Sequence, residues 1–320
     1  MKICVTGSSG FIGKALCKQL LKYKHDILAT SRYSNLTDIK PEKNLKFIQI
    51  EDINIEKKWP EILSGVECII HCAARAHIMN DNKVDSLSLY QKVNVEGTRK
   101  LAEQASIAGV KRLIFLSSIK VNGELTKKSF CFRHTDIPFP EDAYGISKWE
   151  AEQVLWEISR KSGLEIVIIR PPLVYGPGVK GNFLRLLNLV KRNVPIPLAT
   201  VDNYRSFIGI DNLVDLLIRC TDHPGASGQT FLVSDGEDLS TPTLIKKISS
   251  AMGKKNFLFP VPISLIKLIG RMVGKSSEVE RLLSSLQIDS SLVYDKLGWK
   301  PLLNSDEGLL KMIKWYLNNK

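Results

Sequence analysis

Tyr144 and Lys148 stand four residues apart in the run AYGISK, where a helical pattern begins after a loop rich in proline and charge. Side chains at that spacing share one face of a helix and can reach each other. A free phenol, with a pKa of about 10, is a reluctant acid–base at neutral pH. A nearby ammonium stabilises the phenolate and lowers that value. The pair is therefore expected to move a proton at a substrate oxygen, with Lys148 keeping Tyr144 reactive. Help of that kind is worth about 10²–10⁴-fold in rate. Tyr-x3-Lys on a helix also arises by chance on a polar surface, so its neighbours decide the matter. Ser118 ends a strand-like run, which by itself is an ordinary place for a serine.

TGSSGFIG, Thr6 to Gly13, follows the first apolar run and opens the first helical pattern. Glycines in such a place let the backbone turn tightly, approach a pyrophosphate and pack helix against strand, while the helix N-terminus faces the negative charge. Gly7, Gly10, Phe11, Ile12 and Gly13 are thus the expected cradle of a dinucleotide. The end of the second strand should read the adenosine ribose. An acid there suits the 2′-hydroxyl of NAD, and an arginine suits the 2′-phosphate of NADP. Ser31 and Arg32 stand there without an acid, which favours NADP(H), with NAD(H) as the alternative.

Strand-like runs at Lys2–Thr6, Asp26–Thr30, Lys46–Ile50, Glu67–Cys72, Arg112–Ser117 and Glu165–Arg170 alternate with helical patterns, clearest at Gly10–Leu21, Leu87–Ala108 and Tyr144–Arg160. Such alternation predicts an α/β fold, a Rossmann-type doubly wound parallel sheet with helices on both faces. After Arg170 the texture changes: Pro171, Pro172, Pro177, Pro195 and Pro197 punctuate segments that read as mostly helical. Residues 1–170 are expected to form the dinucleotide-binding domain. Residues 171–320 are expected to form a smaller, mostly helical substrate cap at the carboxyl ends of the strands, with some segments returning to the sheet.

The composition, 44% hydrophobic and 24% charged, is that of a globular protein. The first residues enter a strand at once, and no apolar stretch has the length of a membrane span. A cytoplasmic enzyme with no membrane insertion is expected. The net charge of +12 comes from scattered pairs such as Lys57-Lys58 and Lys254-Lys255, with no basic run interleaved with aromatics. No nucleic acid partner is therefore expected; salt-dependent binding to random DNA would be the check. Cys68 and Cys72 flank His71, but a strand sends Cys68 and His71 to opposite faces, so no metal site is expected.

TGSSGFIG, HCAARAH (71–77), Asn94 with Gly97 and Thr98, FLSSIKVNG (115–123), YGISK and RPPLVYGPG (170–178) occur in this order. With them, nearly the whole chain resembles the extended short-chain dehydrogenase/reductases, and among these the NAD-dependent epimerases, dehydratases and 4-ketoreductases of nucleotide sugars. The resemblance implies Ser118, Tyr144 and Lys148 as catalytic residues. It also implies Ala73 and Ala74 near the cofactor's phosphates and ribose, Asp52 and Ile53 at adenine, and Pro171 passing the nicotinamide. Lys148 would also hold the nicotinamide ribose. Asn182 and Arg205 match positions that hold the diphosphate of a UDP-sugar substrate, and Arg281 is a further candidate. Arg75, His77 and Asn80 are expected to face the sugar, as is the loop with Arg133, His134 and Thr135.

Two departures bear on the reaction. An acid near position 31 or 32 and a V-Y-G run are usual in the familiar epimerases, whereas this chain has Ser31-Arg32 and Val121-Asn122-Gly123. The main expectation is therefore a 4-ketoreductase acting on a UDP-4-keto-6-deoxy-N-acetylhexosamine for surface polysaccharide, including O-antigen and lipopolysaccharide. The alternative is a UDP-hexose 4-epimerase using UDP-glucose or UDP-N-acetylglucosamine. A cofactor-sensing regulator would have lost Tyr144 or Lys148, and both are present. Relatives dimerise through helices matching Leu87–Ala108 and Tyr144–Arg160, so a homodimer is expected, with a two-chain mass by light scattering; a one-chain mass would overturn it.

Overall fold

The computed structural model describes residues 1–32, 39, 42–53, 59–76, 86–128, 130–255 and 257–319. Seven strands, β1 (Lys2–Thr6), β2 (Asp26–Ser31), β3 (Leu45–Gln49), β4 (Cys68–His71), β5 (Arg112–Leu116), β6 (Glu165–Arg170) and β9 (Thr230–Leu232), make one sheet. Their order is β3-β2-β1-β4-β5-β6-β9, and each adjacent pair is parallel. β1 lies between β2 and β4, with Ile3 opposite Ile27 on one side and Cys68 on the other. Chain direction around the sheet reverses there, and in open α/β sheets that is where ligands bind.

Both faces of the sheet are buried, and alternation along each strand sorts the core into two layers. Ile3, Val5, Ile114, Leu116, Val167 and Ile169 pack under α1 (Phe11–Lys22) and α7 (Ile210–Arg219). Cys4, Leu113, Phe115, Ile166 and Ile168 face α4 (Gly97–Ile107) and α5 (Ala143–Ser162). Fully burying each such side chain is worth about 1.5–3 kcal/mol, which fixes the strand register and with it the loops at the carboxyl ends.

The single helix expected over 87–108 is instead three pieces: α3 (Ser86–Tyr90), a π-helical turn Gln91–Glu96, and α4. Wide turns of this kind recur at functional sites, and this one carries Asn94. After Arg170 the structure holds more strand than expected. β7 (Leu173–Tyr175) pairs in parallel with β8 (Arg205–Gly209), which pairs antiparallel with β10 (Asp238–Leu239). Strands of three and two residues, like β9, β7 and β10, are too short to show a period-2 pattern. Around this small sheet stand α6 (Gly181–Lys191), α8 (Thr241–Ala251), α9 (Ile263–Met272), α10 (Ser276–Leu283), α11 (Ser291–Leu297) and α12 (Ser305–Asn318). None of the described helices is long and apolar enough to cross a membrane.

A buried charge pair joins the end of β6 to α5. Arg170 donates from Nε and Nη2 to the Glu152 carboxylate at 3.0 and 2.5 Å, and Ser117 donates to the same carboxylate at 2.5 Å. The third nitrogen of Arg170 donates to Asn122 Oδ1 at 2.9 Å, and the Asn122 amide donates to the Arg133 carbonyl at 3.1 Å. Asn122 thus ties the long loop before α5 to the sheet. Removing one member of a fully buried pair strands the other charge. Glu152→Ala should therefore lower unfolding stability by about 3–5 kcal/mol, read from the denaturant midpoint at neutral pH.

Candidate active site

The glycine loop leaves β1 with Gly7 at φ +67°. A Cβ on Gly7 would lie 2.7 Å from the Ala73 nitrogen, and one on Gly13 would lie 2.3 Å from the Gly7 carbonyl oxygen. Backbone therefore meets backbone without room for side chains. Gly10 caps α1 with no side-chain hydrogen bond, and the first turn holds no acid. The N–H groups of Phe11 and Ile12, in the first turn ahead of the Lys14 N–H that donates to the Gly10 carbonyl at 2.9 Å, form a ready anion receptor. Ser31 is buried at the end of β2 and shares a 2.6 Å hydrogen bond with Ser9, while Arg32 is exposed beside it. Ile53 is buried, and its carbonyl accepts from the Trp59 indole at 3.2 Å; Asp52 is half-buried. These residues fit a dinucleotide: close-approach glycines, an uncapped helix end, and Ala73 and Ala74 half-buried on the neighbouring strand end.

A buried hydrogen-bond chain crosses from that loop to α5. Thr98 donates its hydroxyl to the Asn94 carbonyl at 2.6 Å, so it can only accept from His71 Nε2 at 3.0 Å. His71 Nδ1 then accepts from the Thr6 hydroxyl at 2.6 Å, and Thr6 accepts from the Ala73 N–H at 3.3 Å. Burial, with Lys148 adding to it, pushes the His71 pKa down to about 3, so the ring is neutral. The Asn94 amide donates to the Arg75 carbonyl at 3.1 Å and to Ser147 at 2.9 Å, and accepts from the Arg75 N–H at 2.8 Å. Ser147 donates to the Tyr144 carbonyl at 2.8 Å. Thus His71 is a structural relay; among the described residues no group of three metal-ligating side chains gathers.

Asp142 caps α5 by accepting from the Gly145 N–H at 2.7 Å, which starts the helix one residue before Tyr144. A Cβ on Gly145 would come 2.9 Å from the Lys120 carbonyl oxygen, so α5 lies directly on the turn after Ser118. Ser118 is half-buried; its Oγ accepts from the Lys120 N–H at 3.3 Å, leaving its own proton to donate. Lys148 is buried, donates to the Leu116 carbonyl at 2.8 Å and stands 4.3 Å from the centre of the Phe115 ring. Burial holds its pKa down at about 8.

Tyr144 differs from the expectation. Its pKa is pushed up, by burial first and then by Asp142 and Tyr90. The Lys148 ammonium lies 6.0 Å from the centre of the phenol ring and is turned to the Leu116 carbonyl, so in this arrangement it does not offset those effects. Tyr90 sits edge-on to Tyr144 at 6.1 Å, with the Arg75 guanidinium 5.7 Å from the Tyr90 ring centre.

An ionic chain leads from this centre to α10. Lys120 bridges Asp142 and Glu124, and Glu124 takes both Nε and Nη2 of Arg281, at 3.1 and 3.0 Å. Arg205 donates to the carbonyls of Arg281 and Ser284 at 2.8 and 3.0 Å. Burial, then Arg281, lowers its pKa to about 10, with Glu124 opposing. The fold therefore brings together Arg205 and Arg281, which the sequence places far apart. Asn182 is exposed in the first turn of α6, and Pro171 is buried with its carbonyl accepting from the Ile119 N–H at 3.0 Å. His77 and Asn80 lie outside the described residues.

Comparison with known proteins places this geometry. The model of the NAD dependent epimerase/dehydratase family matches residues 3–234. The chain belongs to this family. It is 44% identical to a UDP-glucose 4-epimerase of Vibrio cholerae, over 99% of this chain and 97% of that one. It is 27% identical to the N-acetyl-alpha-D-glucosaminyl-diphospho-ditrans,octacis-undecaprenol 4-epimerase of Escherichia coli O157:H7, over 98% and 94% of the two chains. In fold it is similar to a UDP-glucose 4-epimerase of Thermotoga maritima solved with UDP-glucose, at a TM-score of 0.79 and 24% identity over 100% and 99% of the chains. The chain is thus an extended short-chain dehydrogenase/reductase, an enzyme of the epimerase/dehydratase family.

Within this family member, the residues that sequence reasoning did not single out are Thr6, Tyr90, Lys120, Glu124, Asp142 and Ser147. Only Asp142, just ahead of a helix, carried a signal that could have found it, as an N-cap. The low pKa of Lys148 has a measurable consequence. Between about pH 8 and 10.5 the unfolded chain binds more protons than the folded one, so stability rises with pH through that window. Below pH 8 the burial penalty is present in full. Denaturant midpoints of the cofactor-stripped protein from pH 7.5 to about 9.5, below tyrosine ionisation near 10, should climb relative to Lys148→Met. Parallel profiles would contradict the buried ammonium.

Proposed function

We propose that this chain is a UDP-hexose 4-epimerase, inverting C4 of UDP-glucose or UDP-N-acetylglucosamine. The likeness of 44% along almost the whole chain to a UDP-glucose 4-epimerase carries this reading. NAD, on the glycine loop, would supply the chemistry of taking and returning a hydride. Tyr144 takes the proton of the 4-hydroxyl and returns it once the 4-keto sugar has turned over. Ser118 donates its free proton to the same oxygen. Lys148 supplies the positive charge that favours the phenolate when its ammonium turns from the Leu116 carbonyl toward the ring, and it holds the nicotinamide ribose. Arg205 and Arg281, with Asn182, bind the substrate diphosphate, and Arg75 faces the sugar. The diphosphate competes with Glu124 for Arg281. The setting we propose is a cytoplasmic homodimer serving surface polysaccharide, a role supported by the relative named for an undecaprenyl-diphosphate sugar.

A second reading rests on Ser31-Arg32, with Arg32 exposed at the end of β2. It is a 4-ketoreductase of a UDP-4-keto-6-deoxy-N-acetylhexosamine that consumes NADPH. Two assays separate the readings. Interconversion of UDP-galactose and UDP-glucose without added reductant, with NAD released on denaturation, is the expected result. Stoichiometric loss of NADPH with the 4-keto sugar, and no interconversion, would replace epimerase by reductase. In either assay Tyr144→Phe should lower kcat at least about 10²-fold. Arg281→Ala should raise KM about tenfold or more with little change in kcat, as loss of a charge-assisted diphosphate contact does.

A further inference from the structure

The α9–α10 hairpin carries apolar surface that the proposed reaction does not use. In α9, Ile266 packs against the core around the small sheet, which includes Phe183, Phe207 and Ile245, and Gly270 lies against Val279 of α10, so that face is spent inside the molecule. Leu265, Leu268, Ile269 and Met272, at the i, i+3, i+4, i+7 spacing of one helical stripe, are 44%, 52%, 51% and 79% exposed. Phe257 and Phe259, in the segment leading into α9, are exposed as well. An apolar stripe of this extent marks an interaction surface.

The charge around it says which kind. From Ser249 to Ser277 the chain has five basic residues, Lys254, Lys255, Lys267, Arg271 and Lys275, and no acid. All five are exposed, and none forms an ion pair among the described residues. Acids return only at Glu278 and Glu280 on α10. Lys267 and Arg271 share their own helical row beside the apolar stripe, one turn apart. A second copy of the chain seated face to face would press these cations against each other. An anionic lipid surface instead accepts both parts, apolar side chains among the acyl chains and cations at the headgroups.

We propose that the chain docks peripherally on anionic bilayers through α9 and its flanking segments. This docking does not depend on which reaction the site performs. It brings the substrate arginines to the surface, because α10 of the same hairpin carries Arg281. The test is flotation of the full chain with vesicles of phosphatidylcholine, with and without about one-third phosphatidylglycerol, at low and high salt, beside light scattering of the free protein. The expected result is binding to the anionic vesicles, weakened by salt. It should fall at least about tenfold in L268E/M272E, whose exposed positions leave turnover of a soluble nucleotide sugar unchanged. No binding to anionic vesicles at low salt would overturn the proposal. So would binding that L268E/M272E does not alter, or a self-association of the free protein that the same pair abolishes.

Discussion

The arrangement depends first on the buried hydrogen-bond chain that runs Thr6, His71, Thr98, Asn94, Ser147. The Thr98 hydroxyl is spent on the Asn94 carbonyl, so the imidazole has a single tautomer, and Asn94 uses both amide protons, one to the Arg75 carbonyl and one to Ser147. Such a line is costly to break, because a missing member leaves its neighbour unsatisfied in a low-dielectric interior. It ties the ends of β1 and β4, where a dinucleotide would lie, to the backbone of Tyr144. The glycine loop and the start of α5 come from distant stretches of chain, and this polar seam keeps them in register. The widened turn at Gln91–Glu96 carries Asn94 at the point where three partners converge.

A second, ionic line runs the other way, from the cap of α5 through Lys120 and Glu124 to Arg281. Here charges are matched in partly exposed positions, where pairing is weaker and exchangeable. The contrast between the lines is one of burial. The line through His71 is held by directional bonds among fully buried groups. The line to Arg281 is held by ion pairs between partly exposed side chains, which under the proposed function an incoming diphosphate would replace.

Much of the fold was legible in the sequence because it rests on repetition. Strands with two buried faces and helices with one apolar stripe announce themselves, and β1 and β6 run over the expected residues. The glycine loop was legible because only glycine fits where backbone touches backbone, as the approach of Gly7 to Ala73 shows. What stayed hidden was made by tertiary contact. Strands of two or three residues carry no period. The partners of Asn94 come from three segments, and nothing in Glu124 itself announces that Arg281, 157 residues away, will take its carboxylate. The state of Tyr144 was misjudged for a similar reason. Spacing along a helix says that a lysine can reach a tyrosine, but not that a carbonyl at the end of a neighbouring strand will hold the ammonium instead.

Gly145, the residue between Tyr144 and the rest of its helix, has no side chain to keep α5 away from the Lys120 carbonyl. The gap it leaves sets how closely the phenol of Tyr144 approaches the turn that carries Ser118. A methyl group there would act as a wedge, levering the helix off the turn after Ser118, and in the proposed reaction it would spoil the aim of both hydroxyls at one oxygen. Small errors of aim are expensive in such a centre. The pattern Tyr-Gly-x-x-Lys therefore records a machining tolerance as much as a set of reactive groups.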